Sequence, residues 1–231
     1  MRPDRSACVA VILLAALTSG PAHAEAIELR GAAIVRTFEC DPGFRTTAIA
    51  CPADGWKLAT DSEELAVVLL DGTRVAGTDW ILAGEPKQTK AGDEKSLDVT
   101  LSARSAPGLQ ARIAYRVRGS ESWMRKEVTL SGPTGMVVTS VDLEPMVLSP
   151  RPADCGGDEG MPMLADRAWF GVEYPASRNS IRQGRLSLTH FPGRDLGAGP
   201  LACKTAVCGI AAPGLDLPLA FEDYLNTVIT R

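Results

Sequence analysis

Histidine is scarce in this sequence. Only His23 and His190 occur among the 231 residues. A His/Cys zinc site normally draws on histidines beside cysteines, and the Cys203-x4-Cys208 spacing is not a metal pattern. A Ser-His-Asp triad is also disfavoured, because no Gly-x-Ser-x-Gly segment is present and the residue order does not fit. The sequence therefore predicts no metal site and no serine hydrolase chemistry.

An excess of positive charge is missing as well. The 24 Lys and Arg residues are outnumbered by 28 Asp and Glu, which gives a formal net charge of −4. A nucleic-acid-binding surface needs the opposite balance. The glycine-rich segment 190–200, HFPGRDLGAGP, lacks both common phosphate-binding patterns, and the acids of DCGGDEG lack EF-hand spacing. We expect no nucleic-acid partner and no cofactor.

Long apolar runs are confined to the N terminus. The run at residues 7–17 follows Arg2 and Arg5 and is too short to span a bilayer. It precedes Ala22-His23-Ala24, which fits the small-x-small cleavage pattern of a secretory signal. The sequence predicts a signal peptide at 1–24 and an exported chain, periplasmic or extracellular, that has no membrane contact after cleavage.

Five cysteines follow the predicted cleavage site, so at least one lacks a partner within the chain. Cys40 and Cys51 enclose a short loop containing Pro and Gly, and export permits disulfides. We predict a Cys40–Cys51 bridge, which the chain-entropy model values at about 2–3 kcal/mol. For Cys155, Cys203 and Cys208 we expect ordinary buried thiols.

Apolar and polar residues alternate with a period of two over much of the chain. The pattern is clear in 96–102, 109–117 and 124–130, and it is typical of half-buried antiparallel strands. In the third segment Lys126 shares the apolar face with Met124. The sequence predicts one all-β domain over residues 25–217.

Turn and helix patterns divide this domain. Asp71-Gly72 predicts a tight hairpin, and Pro145 should bend or end a strand that begins near residue 137. Residues 149–166 are expected to form a long loop. A helix over 218–231 is predicted because four apolar residues lie on one helical face; these are Phe221, Tyr224, Leu225 and Val228.

The segment 168–180, AWFGVEYPASRNS, holds candidate functional residues. Glu173 lies among aromatic residues that would raise the pKa of a general acid. A glycosidase would need a second carboxylate, for which Asp166 and Asp195 are the nearest candidates in sequence. The alternative is that Glu173 pairs with a nearby arginine such as Arg178 at a strand end.

His190 shares its strand face with Leu186 and Leu188. A lone histidine on an apolar face is more often a core residue. The functional alternative is a proton donor or a hydrogen-bond partner for a sugar hydroxyl.

Three segments, 108–135, 168–193 and 206–225, resemble parts of the N-terminal domain of α-galactosidase-like glycoside hydrolases of family 36. The resemblance extends from about residue 27 to the end. It implies an antiparallel β-supersandwich of the galactose-mutarotase-like kind with a C-terminal connecting helix. In such enzymes a (β/α)8 barrel follows and carries the two catalytic aspartates. Since this sequence ends at Arg231, where the barrel would begin, we expect no catalytic residue here.

The resemblance implies a non-catalytic domain that packs on a barrel and helps to wall its sugar site. Substrate-binding or interface roles then fall to five residues, Trp169, Glu173, Tyr174, Asn179 and His190. A free-standing carbohydrate-binding sandwich is one alternative. A mutarotase-like epimerase is another, but it usually needs a second histidine. In each case the partner is a carbohydrate.

A sandwich built to pack on a barrel should also expose an apolar patch. We expect Trp169, Phe170 and Tyr174 to form it together with the apolar face of the terminal helix.

Overall fold

A computed structural model describes residues 26–229, so the predicted signal peptide lies outside the described residues. Within that range the chain is almost entirely β-structure, with one α-helix near its end. The strands are β1 (Ile27–Arg30), β2 (Val35–Glu39), β3 (Arg45–Ala50), β4 (Lys57–Ser62), β5 (Ala66–Leu69), β6 (Arg74–Ala76), β7 (Trp80–Leu82), β8 (Lys87–Ala91), β9 (Glu94–Ala103), β10 (Gln110–Arg118), β11 (Trp123–Ser131), β12 (Val137–Asp142), β13 (Met146–Ser149), β14 (Cys155–Glu159), β15 (Met163–Ala165), β16 (Ala168–Val172), β17 (Arg178–Arg182), β18 (Arg185–His190), β19 (Arg194–Asp195), β20 (Leu201–Ala202) and β21 (Ala206–Ile210), and the helix is α1 (Leu217–Ile229).

The described strands form two antiparallel sheets. The first, sheet A, has 12 strands and runs β1-β2-β3-β4-β13-β18-β12-β5-β6, with β17 beside β18, β14 beside β17 and β19 beside β12. The second, sheet B, has nine strands and runs β15-β16-β21-β11-β10-β9-β7, with β8 beside β9 and β20 beside β11. The inward residues of both sheets form one apolar core. The predicted all-β sandwich is therefore confirmed.

The alternating segments form the central hairpins of sheet B. In β10, Ala111 and Ile113 are buried in the core, whereas Arg112 between them is exposed. The Asp71-Gly72 turn joins β5 to β6 as predicted, and Gly72 takes the positive φ of 88° that this turn requires. Pro145 separates β12 from β13.

Residues 149–166 are more ordered than predicted. This segment contains β14, which pairs with β17 in sheet A, and β15, which pairs with β16 in sheet B. The Gly and Pro content of this segment predicted a loop where two short strands form. The chain crosses here from sheet A to sheet B.

Two ion pairs are buried in the core. Arg36 donates from Nη1 and Nη2 to the two carboxylate oxygens of Glu144, at 2.8 Å each. Lys126 donates from Nζ to Glu64 Oε1 at 2.8 Å. Arg36 Nη2 also lies 3.6 Å from Glu64 Oε1, which joins the pairs into one cluster. Two cations and two anions compensate each other here, which makes this burial tolerable.

The predicted Cys40–Cys51 bridge is wrong, because both residues are free thiols. Cys40 directly follows Glu39, whose partner Arg45 begins β3. Cys51 follows the other end of β3. The six residues of that strand separate the two cysteines by roughly 20 Å, whereas bridged Cα atoms lie within roughly 7 Å of each other.

The predicted apolar patch is also wrong in its main members. Trp169 and Phe170 are both 0% exposed, and Tyr224 of α1 is 4% exposed. The helix lies on the outer face of sheet B and buries part of its apolar face against its own sandwich. Exposed leucines remain on and just before α1, namely Leu215, Leu219 and Leu225.

Candidate functional site

An aromatic cavity of about 250 Å³ lies between α1 and the outer face of sheet B. Three of the predicted site residues, Trp169, Glu173 and Tyr174, line it. The remaining wall comes from the turn before β15, from β16 and β21, and from the helix. Its other lining residues are Gly160, Pro162, Gly171, Val172, Pro175, Val207, Phe221, Tyr224 and Leu225.

The period of β16 explains why Trp169 faces this cavity. Its neighbour Phe170 belongs to the core between the sheets, whereas Trp169 points to the opposite face and belongs to the cluster beneath α1. Gly209 of β21 lies opposite Trp169 in the ladder. A Cβ on Gly209 would stand 2.2 Å from the indole ring. The glycine therefore makes room for Trp169 to lie across the sheet.

The helix fixes the other aromatic side chains. Phe221 and Tyr224 pack on Trp169 with ring centroids 5.1 and 4.9 Å away. Trp123 of β11 contacts Tyr224 edge-on at 5.4 Å. The contact angles match the tilted and edge-to-face geometries that aromatic pairs prefer. The cavity floor is thus held by ring packing on both sides of β21.

Glu173 lies at the rim and is held by two donors. Its Oε1 accepts from Tyr224 Oη at 2.5 Å and from Arg125 Nε at 3.1 Å. Burial and the hydrogen bond to Glu173 both raise the pKa of Tyr224, so its hydroxyl stays protonated and donates. The partner of Glu173 is therefore Arg125, a residue of β11, and not the predicted Arg178.

The pKa of Arg125 reflects the same contacts. Burial alone would lower it, but the hydrogen bond and charge of Glu173, together with Tyr224 and Glu121, raise it. The guanidinium Cζ also lies 5.7 Å from the Tyr224 ring centroid. Arg125 is a permanent cation beside the cavity.

A charged groove of about 310 Å³ adjoins the aromatic cavity and shares Glu173 with it. Strands β9 to β11 supply its walls. Its charged lining residues are Glu94, Arg116, Arg118, Glu121, Arg125, Glu127 and Glu173. Glu173 therefore separates an apolar compartment from a polar one.

Neither predicted carboxylate partner joins Glu173 at the cavity. Asp166 Oδ2 accepts from Trp56 Nε1 at 2.7 Å. Asp195 Oδ1 accepts from the backbone of Gly197 at 2.8 Å, next to the 3-10 turn Leu196–Ala198. Both carboxylates have structural hydrogen bonds. Among the cavity-lining residues Glu173 is the only acid.

Asn179 and His190, predicted with the others, lie in sheet A, away from the cavity. Asn179 of β17 is buried and donates from Nδ2 to Met161 O at 2.8 Å. His190 of β18 is 4% exposed, and its Nε2 has no hydrogen-bond partner among the described residues. Burial, and secondarily the charge of Lys204, lower its pKa to about 4. It is a neutral core residue, as the simpler interpretation expected.

Sequence reasoning missed Arg125 as a site residue, and it assigned Tyr224 to an exposed face. Arg125 lies on the outward face of β11, and the sequence offers no indication of which outward arginine meets Glu173. For Tyr224 the helical periodicity identified the apolar face but not its partner. The period of two in β16, which places Trp169 and Phe170 on opposite sides of the sheet, was the signal that the predicted patch overlooked.

Between residues 26 and 229, no helix is long and apolar enough to cross a membrane. In the same part of the chain, no three His, Cys, Asp or Glu side chains gather closely enough to hold a metal ion.

Comparison with known proteins identifies the fold. No protein-family model matches the sequence, and no curated protein matches it. Among solved structures, the GH36 α-galactosidase AgaB from Geobacillus stearothermophilus is similar over 84% of this chain, at 11% identity and a TM-score of 0.50. The galactosidase domain of the α-galactosidase-sucrose kinase AgaSK is similar over 82%, at 9% identity and the same TM-score.

This likeness is one of fold. The chain spans about 40% of the first solved protein and 41% of the second. The matched part is consistent with the N-terminal β domain of GH36 α-galactosidases, and the resemblance predicted from sequence is confirmed at that level.

Proposed function

We propose that this chain is the exported, non-catalytic N-terminal sandwich domain of an α-galactosidase-like glycoside hydrolase. In this proposal it packs on a catalytic barrel and helps to wall the sugar site. The observation that carries the proposal is the fold match, which covers most of this chain and only about two fifths of the α-galactosidase. Export to the periplasm or the extracellular space rests on the signal-like sequence at 1–24.

The aromatic cavity supports a carbohydrate partner. Tyr174 supplies a flat apolar wall, and such a ring suits the apolar face of a sugar. At the rim, Glu173 and Arg125 supply an acceptor and a donor for hydroxyl groups. Because Glu173 Oε1 already accepts two hydrogen bonds, its position is fixed before a ligand arrives.

The same geometry argues against chemistry by this domain alone. A glycosidase needs two carboxyl groups flanking the scissile bond, and Glu173 is the only acid among the cavity-lining residues. A mutarotase-like epimerase would need an accessible histidine, whereas His190 is buried and neutral.

The first test is an activity assay on residues 25–231 with an aryl α-galactoside. We expect no turnover above the buffer blank. Turnover that disappears in Glu173→Gln would contradict the non-catalytic proposal.

The second test is binding of a galactoside such as raffinose, followed by NMR titration. We expect Tyr174→Ala to weaken binding at least fivefold, because it removes a stacking wall. Phe191→Ala is the matched control, since Phe191 is an exposed aromatic residue that does not line the cavity. An equal loss of raffinose affinity in both variants would show that the aromatic cavity is not the binding site.

A free-standing carbohydrate-binding sandwich is the second candidate. It is favoured by the fact that the chain's own helix completes the cavity wall. The gene sequence distinguishes the two candidate functions. An open reading frame that continues past the codon for Arg231 into an Asp-bearing barrel supports the first candidate. Raffinose binding in the absence of such a barrel supports the second.

A further inference from the structure

Three sulfur-bearing side chains line one cavity where the chain crosses between the sheets. Cys155 lies on β14 of sheet A, and Met163 lies on β15 of sheet B. Cys155 Sγ is 3.9 Å from Met163 Sδ. Both residues, with Met161, line a cavity of about 480 Å³ that is distinct from the aromatic cavity. We call these three residues the sulfur cluster.

The local backbone brings the sulfurs of Cys155 and Met163 together. Gly156 has a φ of 97°, and a Cβ there would stand 2.9 Å from Met163 Sδ and 2.5 Å from Asn179 O. Glycine is therefore required for the thioether to approach β14. Asn179 Nδ2 donates to Met161 O at 2.8 Å, which anchors the turn that carries Met161.

The spacing of Cys155 Sγ and Met163 Sδ suits a shared metal ion. A metal–thiolate bond is about 2.3 Å long, so two sulfurs of a trigonal site lie about 4.0 Å apart. The observed 3.9 Å matches this distance. Thiolate and thioether donors select soft ions such as Cu(I). Methionine sulfur completes a donor set that His, Cys, Asp and Glu alone do not provide here.

We propose that Cys155, Met161 and Met163 form a binding site for a soft monovalent cation, Cu(I). When the ion binds, the S–H bond of Cys155 breaks, an S–Cu bond forms, and the proton passes to solvent. The two thioethers bind as neutral donors. This site is independent of the proposed carbohydrate function.

A hard divalent ion fits this cavity poorly. Asp166 is its carboxylate-bearing lining residue, and Asp166 Oδ2 accepts from Trp56 Nε1 at 2.7 Å. Met161 is 52% exposed, whereas Met163 is 2% exposed. The cluster therefore has one solvent-facing donor by which an ion can enter and a buried donor that excludes water from its far side.

The test is competition for Cu(I) against the chelator bathocuproine disulfonate, under anaerobic and reducing conditions. Residues 25–231 should bind one Cu(I). The Met161→Leu/Met163→Leu double variant keeps every thiol and nearly the same volume, and its affinity should fall at least tenfold. Met136→Leu is the matched control, because Met136 lines a different cavity, and it should bind as the wild type does.

Two further measurements decide the ligand set. Cys155→Ser, which leaves the other four mature thiols in place, should lose the site. X-ray absorption should show sulfur neighbours at about 2.3 Å. Wild-type affinity in Cys155→Ser or in the double methionine variant overturns the proposal. If the double variant fails to fold, Met161→Leu alone decides, because this exposed side chain can change without disturbing the core.

Discussion

At the scale of single residues, the core holds charge only where charge is compensated. Burial alone would raise the pKa of Glu64, but Lys126 and Arg36 lower it overall, so the carboxylate stays ionised. Burial alone would lower the pKa of Arg36. The neighbouring carboxylates of Glu144 and Glu64 outweigh burial and raise that pKa. Removing a single member would leave an uncompensated buried charge, which is strongly destabilising.

His190 is the contrasting residue, because it is buried without compensation. Its pKa falls from 6.5 to about 4 in the folded chain. The unfolded chain takes up a proton below pH 6.5, and the folded chain does not do so until about pH 4. The stability that His190 contributes is therefore present above pH 6.5 and is lost as the pH falls toward 4.

We predict that His190→Gln flattens this part of the stability profile. Between pH 7 and pH 5 the wild type should lose about 2 kcal/mol more unfolding free energy than the variant, because glutamine does not titrate. Urea denaturation at both pH values measures the difference. Parallel losses in the two proteins would show that His190 is not held neutral.

At the scale of elements, the sheet B–helix contact depends on one small residue. Gly209 of β21 has Trp123 on one neighbouring strand and Trp169 on the other. The Trp169 ring occupies the space above Gly209, and Tyr224 of α1 packs on that ring. The position of the helix, and with it the Tyr224–Glu173 hydrogen bond, follows from this arrangement.

We predict that Gly209→Ala displaces Trp169 and loosens α1. The expected cost is about 2 kcal/mol or more, as for overpacking of a filled site, with loss of hydrogen-exchange protection in α1. Gly171→Ala is the control, because a Cβ at Gly171 of β16 meets no atom within 4 Å. Equal protection of α1 in both variants would show that Gly209 does not determine the position of the helix.

At the scale of the whole molecule, the surface retains apolar residues near the C-terminal end of the described chain. Leu219 of α1 is 52% exposed and Leu225 is 37% exposed. Exposed leucines of this kind favour association. Because Trp169 and Phe170 are buried, the patch is smaller than the sequence predicted.

We predict that residues 25–231 self-associate at micromolar concentration through this helix. Leu219→Lys/Leu225→Lys should shift the population to monomer in analytical ultracentrifugation without lowering the melting temperature. Leu70→Lys changes an exposed leucine at the β5–β6 turn, far from α1 in the sheet order, and should leave association unchanged. A wild-type chain that stays monomeric at high concentration would contradict this prediction.

Local sequence patterns predicted much of the fold. The alternation around Ile113 and Val128 located the central strands, Asp71-Gly72 located a hairpin, and the spacing of Phe221 and Tyr224 located α1. The strands β14 and β15 were missed because strands of only five and three residues carry little periodic pattern.

The site was predicted in part. Trp169, Glu173 and Tyr174 are neighbours in sequence around the end of β16, so they share a cavity. Asn179 and His190 belong to the other sheet, because the chain crosses over after Pro175. The bridge between Cys40 and Cys51 was wrong because proximity in sequence does not give proximity across an extended strand.

The sequence by itself determined which faces of the strands and helix are apolar, since that pattern is local and needs only the periods of 2 and 3.6 residues. Only the tertiary structure decided which partners those faces meet. The pairing of Glu173 with Arg125 joins residues 48 positions apart, and that of Arg36 with Glu144 joins residues 108 apart. Such contacts depend on strand order and register, and these are fixed by how two whole sheets pack rather than by any one segment.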